Sequence, residues 1–212
     1  MTWILRFLQD HEQGMQKIHY LWDRYAAPTL IVQTDASTTG LGAILLSACG
    51  IPMKWLADIT RDDDLDRLGA ERGNPACMAE FELLAVLIAF KAWGHLVAGQ
   101  RVCCLLKIDS QTAQGTITKL ASPSPVYNAL AAELSLTLEH LNVKLLTDHI
   151  RTGNNVEADA LSRLAEDKRV PQSLRGIRAT PPPDRKDVYR IMEARARTQC
   201  PTREVAQMRD SR

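Results

Sequence analysis

The chain predicts an α/β fold built on one five-stranded mixed sheet, and three observations carry that prediction. Between Leu30 and Ala57, three short apolar segments alternate with the turn signals Thr38-Thr39-Gly40 and Ala48-Cys49-Gly50, the pattern of an antiparallel meander. Asn74-Pro75, an N-cap followed by proline at the first helical position, opens a long helical run to Val97. Two further apolar segments, Arg101–Ile108 and Val143–Thr147, each follow a helical stretch, as parallel crossover units require.

Each element has its own local signals. Residues 1–27 are amphipathic and predict a helical lead-in that stops at Pro28. Leu30–Ser37, Leu41–Ser47 and Ile51–Ala57 are the meander strands. The charged insert from Asp58 to Asn74, with its "RDDDLD", reads as a solvated surface loop rather than a metal site. Ser110–Leu120 is a short helix broken by Pro123 and Pro125, and Val126–His140 is another. "HIRTGNN" is a loop, and Val156–Ala165 is a last helix. These elements define a domain over 28–165. Residues 166–212 read as a basic, proline-containing and largely disordered tail, with one short helix near Val188–Arg197.

Composition bounds the function classes. The tail carries 12 Lys/Arg and 7 Asp/Glu in a chain of net charge +1, so the body is mildly acidic. Five cysteines form no CxxC pair and no metal spacing, which points to a reducing compartment, cytoplasmic or nuclear. "WILRFL" is too short for a signal h-region. "FELLAVLIAFKAWGHLVA" contains Glu82, Lys91 and His95, so no membrane span is expected. No P-loop is present, and "GLG" after Asp35 is too short for a nucleotide fingerprint.

The chemistry lies in carboxylates that end apolar segments. Asp35 closes the first strand and Asp109 the fourth. Taken alone, "DAST" at Asp35 could equally be a hairpin cap. With the two strands as parallel neighbours, both acids sit at the carboxyl edge, where open α/β sheets place their sites. At about 100° per residue, Glu82 shares a face with Val86, Ala89 and Trp93, while Glu80 falls with Lys91 and His95 toward solvent. Asp159 starts the last helix at the same edge, where it serves the helix dipole, pairs with Arg163, or joins the other acids. Four carboxylates on four elements without matching cations call for divalent metal. All-oxygen ligands favour Mg²⁺ or Mn²⁺ over zinc, and two such ions suit phosphodiester displacement.

Four stretches carry a resemblance. "TDASTTGLGAIL" is similar to the opening hairpin of the ribonuclease H-like domains that follow reverse transcriptase in retrotransposon polyproteins. "EFELLAVLIAFKAW" resembles their glutamate helix, "LKIDS" their second aspartate strand, and "HIRTGNNVEADALSRL" their closing motif. The resemblance covers roughly 28–165 and implies the ribonuclease H-like fold. It makes Asp35, Glu82, Asp109 and Asp159 the catalytic, metal-binding acids, with two Mg²⁺ or Mn²⁺ ions. It makes His149 the histidine of a mobile loop, assisting proton transfer or product departure. The implied substrate is an RNA–DNA hybrid, and the implied partner is a reverse transcriptase domain in cis or in trans, which the lead-in 1–27 resembles at its end. A noncatalytic binding remnant of the same fold is the alternative. The basic protrusion some relatives place between the middle helices is missing.

Overall fold

β1 (Leu30–Ala36), β2 (Gly40–Ser47) and β3 (Pro52–Ile59) form the antiparallel meander expected from their turn signals. β4 (Val102–Ile108) and β5 (Val143–His149) extend it in parallel, giving the order β3-β2-β1-β4-β5. The computed structural model describes residues 27–119, 124–167 and 169–190. The lead-in over 1–26 and the chain from Ile191 onward lie outside these residues.

Two cores cover the sheet. On one face, Val32, Ala43, Leu45 and Leu106 pack against Phe81, Leu84 and Ile88 of α2 (Met78–Val97), with Leu130 and Leu134 of α4 (Pro125–His140) beyond. α3 (Gln111–Lys119) completes that layer. α2 is buried continuously from Phe81 to Phe90 because it lies between the sheet and α4, so it is not the one-sided amphipathic helix its length suggests. On the other face, Ile44 and Leu46 pack against Ala158 and Leu161 of α5 (Val156–Ser162) and against Leu174. The last helix breaks at Arg163 before a short α6 (Leu164–Asp167).

Two expectations need correcting. The insert is not a solvated loop: α1 (Asp62–Leu68) forms there, and Asp64 within "RDDDLD" is fully buried. The chain beyond 165 is also not a loose tail over 169–190. Trp55 Nε1 donates to the Ile177 carbonyl at 2.8 Å, the Thr180 N–H donates to the Trp55 carbonyl at 2.8 Å, and Ala179 bridges Trp55. This stretch covers the exposed edge of β3, a position that would otherwise offer unpaired backbone groups. The chain then crosses to the first face. Trp93 Nε1 donates to Thr180 Oγ1 at 2.9 Å, and α7 (Arg185–Val188) buries Val188 beside the fully buried Tyr189. α7 ends at Val188, where a short helix was expected to begin, and residues 191–197 of that expectation lie outside the described residues. Both errors share a cause. Charge marked these segments as polar, and the charges neutralise one another only after folding. Arg185 holds Asp64 in a buried bidentate pair at 2.7 and 2.8 Å. No helix among the described residues is long and apolar enough to cross a membrane.

Candidate active site

The register of β1 on β4 pairs Leu30 with Cys104 and Gln33 with Lys107. Carried on, it sets Asp35 opposite Asp109 at the carboxyl edge of the sheet. α2 connects the meander to β4, so its first turns also lie at this edge and deliver Glu82. One oxygen from each of Asp35, Glu82 and Asp109 lies within 4.8 Å of the others. Asp35 and Glu82 are buried and Asp109 is half-buried.

The electrostatics of this group are severe. Burial, and then the charges of Asp35 and Asp109, push the Glu82 carboxyl up to about 9. Burial also pushes Asp35 up to about 7; the Ser162 hydroxyl works against this, and the charges of Asp109 and Asp159 add to it. Glu82 Oε1 accepts a long hydrogen bond from the Ala36 N–H at 3.4 Å, while its buried Oε2 has no hydrogen-bond partner. A buried carboxylate oxygen left without a donor is costly. Three crowded carboxylates with only oxygen donors fit a hard divalent cation.

Asp159 stands beside this group rather than in it. It is half-buried, its charge reaches Asp35, and its Oδ1 pairs with Arg163 Nε at 2.9 Å. The pairing with Arg163 that the sequence left open therefore forms, and it sets a cation at the rim of a group expected to lack one. His149 ends β5 in register with Ile108 instead of lying on a mobile loop. It is exposed, and its Nε2 lies 3.1 Å from the Asp109 carbonyl. Glu80 does not face open solvent either: it is half-buried toward α4, where its charge, after burial, helps push the Tyr127 hydroxyl up to about 12.

Sequence reasoning missed the groups behind the acids. Asn155, Ala158 and Ser162 are all buried on one face of α5, and two polar residues at i and i+7 on an apolar face were the available signal. It also missed why β2 opens with "GLG". A Cβ on Gly40 would meet the Ser162 carbonyl at 2.3 Å, and one on Gly42 would meet the Ala158 carbonyl at 2.3 Å and the Ser162 nitrogen at 2.5 Å. These glycines let α5 lie directly on the sheet. Gly42→Ala is expected to lower stability by about 1–3 kcal/mol through overpacking against rigid backbone. A denaturation curve unchanged from wild type would show that α5 can give way without cost.

No family model and no curated protein sequence matches the chain. Solved structures do share its architecture. Ribonuclease H1 from the halophilic archaeon Halobacterium salinarum superposes with a TM-score of 0.52 at 19% identity, over 66% of this chain and 98% of that one. The N-terminal ribonuclease H domain of a Mycobacterium tuberculosis protein gives a TM-score of 0.51 at 13% identity, over 66% and 95%. The fold is that of ribonuclease H, with an acidic cluster at its sheet edge.

Proposed function

We propose that the protein is a divalent-metal-dependent endonuclease that cleaves the RNA strand of RNA–DNA hybrids. It would work within, or descend from, a retrotransposon reverse transcriptase. The observation that carries this reading is the Asp35–Glu82–Asp109 group with its unpartnered buried oxygen. Asp35, Glu82 and Asp109 would hold Mg²⁺ or Mn²⁺, with Asp159 available beside them once it leaves Arg163. Bound there, a divalent ion acidifies water and stabilises charge on a phosphate.

The remaining steps belong to the chain. Asp35 and Asp109, fixed at the ends of two paired strands, set the place of the attacked phosphate relative to the backbone. Contacts to 2′-hydroxyls across the shallow minor groove would choose RNA as the cleaved strand. The products would carry 5′-phosphate and 3′-hydroxyl ends. His149 offers an exposed imidazole at the rim, held at the Asp109 carbonyl, from which it can pass a proton to the leaving 3′-oxygen. The resemblance of the lead-in supports a reverse transcriptase domain as the partner, in cis or in trans, in the cytoplasm or nucleus.

The test is cleavage of labelled hybrid, single-stranded RNA and duplex DNA in Mg²⁺ and in excess chelator. Cutting confined to the RNA of the hybrid, and lost in chelator, is expected. Hybrid binding without cutting would favour the noncatalytic alternative. His149→Ala should slow turnover by ~10²–10⁴-fold without abolishing it, as for loss of general acid–base help. Wild-type turnover in that variant would remove the histidine from the mechanism.

A further inference from the structure

α5 brings more than Asp159 to the site. Ser162 Oγ donates to Asp35 Oδ2 at 2.7 Å. Asn155 Nδ2 donates to the Thr34 carbonyl at 2.9 Å and lies 3.4 Å from Asp35 Oδ1. Both residues are 1% exposed, so water does not substitute for either. They flank Asp159: Asn155 immediately precedes α5 without capping it, and Ser162 is its last residue. Each oxygen of Asp35 thus faces a donor from the helix that carries the fourth acid.

The backbone holds these donors in place. Gly40 and Gly42 bring the Ala158 and Ser162 backbone onto β2, and Ser37 Oγ donates to the Ser162 carbonyl at 2.9 Å. The terminal torsion of an aspartate is broad and nearly two-fold, so an untethered Asp35 could turn its oxygens away from Glu82 and Asp109. Ser162 Oγ also lies 2.8 Å from the Asp159 carbonyl, a bond within its own helix. A hydroxyl has one proton, and a carboxylate is the stronger acceptor.

We infer that Ser162, supported by Asn155, is a positioning residue that fixes the rotation of the Asp35 carboxylate so that Asp35, Glu82 and Asp109 offer oxygens to one divalent cation. This rests on the metal-dependent reading above. Groups that orient a metal ligand typically cost 10–100-fold in affinity or activity when removed. A serine serving only the helix would change folding and leave the ion's affinity alone.

The experiment is Mn²⁺ titration calorimetry on the full chain, with thermal midpoints in chelator and hybrid kinetics alongside. Ser162→Ala should lower Mn²⁺ affinity by ~10–100-fold, lower the chelator midpoint modestly because Asp35 Oδ2 loses its donor, and reduce kcat with KM unchanged. Ser162→Cys, of similar shape and with a weaker donor, should fall between the two and serves where Ser162→Ala does not fold. Ser173→Ala, at an exposed serine bonded to Glu157, should match wild type throughout. Unchanged Mn²⁺ affinity in a folded Ser162 variant overturns the inference. So does a lowered midpoint with affinity retained. Mn²⁺ binding by the wild type without hybrid cleavage overturns the hydrolase reading alone, because affinity still reads the role of Ser162. A wild type that binds no Mn²⁺ overturns both.

Discussion

Asp35→Asn is expected to abolish hybrid cleavage and to raise, not lower, the thermal midpoint of the metal-free protein. The two effects have one origin. Asp35, Glu82 and Asp109 place oxygens within 4.8 Å of one another, and burial with mutual repulsion lifts Asp35 to about 7 and Glu82 to about 9. Both carboxyls are raised on folding, so between the ordinary carboxylate range and these values the folded chain holds protons that the unfolded chain has released. Stability from these groups is therefore greatest in acid. It falls as pH climbs from about 4 through 7 and then 9. Asparagine at 35 keeps the shape and can keep the Ser162 hydrogen bond, but it removes a charge that Glu82 must oppose. Mg²⁺ should reverse the trend by binding the folded state, and the variant should lose that gain. Loss of an orienting partner already costs ~10–100-fold, so loss of the ligand itself should exceed ~100-fold in rate. The measurement is the thermal midpoint from pH 5 to 9 in chelator and in Mg²⁺, with cleavage rates at each pH. A wild-type midpoint in chelator that does not fall with pH, or an Asp35→Asn protein less stable than wild type at pH 8, would dismantle this account of the site.

The sheet and the acid group were legible in the sequence because each rests on a local pattern. Turn residues at fixed offsets gave the meander, and an acid at the end of an apolar strand gave Asp35 and Asp109. One face of a helical wheel gave Glu82, although α2 is in fact buried on more than that face. Signals failed wherever meaning depended on a distant partner. Asp64 looked solvated because Arg185, its counter-charge, lies 121 residues away. The Asp159–Arg163 pair, four residues apart in sequence, was by contrast among the readings that the sequence left open. Asn155 and Ser162 looked like ordinary helix polar groups, because the carboxylate they hold is on β1. The glycines of "GLG" have no local explanation at all; they are set by α5, which follows more than a hundred residues later.

Arg185→Met should destabilise the fold by about 3–5 kcal/mol, the typical cost of leaving one member of a buried ion pair alone. Arg185 is 4% exposed and contacts two acids: Nε and Nη2 hold Asp64 at 2.7 and 2.8 Å, and Nη1 reaches Asp58 Oδ2 at 2.8 Å. Asp64 also accepts from the Tyr189 hydroxyl at 2.7 Å and from the Arg61 N–H at 2.9 Å. Those neutral donors satisfy its lone pairs but cannot cancel its charge. At roughly 2–4 °C per kcal/mol for a chain of this size, the midpoint should fall by about 6–20 °C. Ending the chain at residue 165, where the sequence pattern places the domain boundary, should cost at least as much. That cut removes Arg185 and Tyr189 and also uncovers Trp55 and Leu174's partners on β2. The compensated variant decides whether charge is the reason. Arg185→Met with Asp64→Leu replaces the principal pair by apolar groups of similar reach, and such exchanges are often neutral or stabilising. It should recover part of the single variant's loss, since the Tyr189 hydroxyl and the Arg61 N–H then lack their acceptor, with Asp58 still served by Arg61 at 3.5 Å. Urea and thermal denaturation of the two variants make the measurement. A loss below about 1 kcal/mol in Arg185→Met would mean that water reaches Asp64 once the guanidinium is gone. In that case the segment from 169 to 190 could not be the clasp that its buried charges describe.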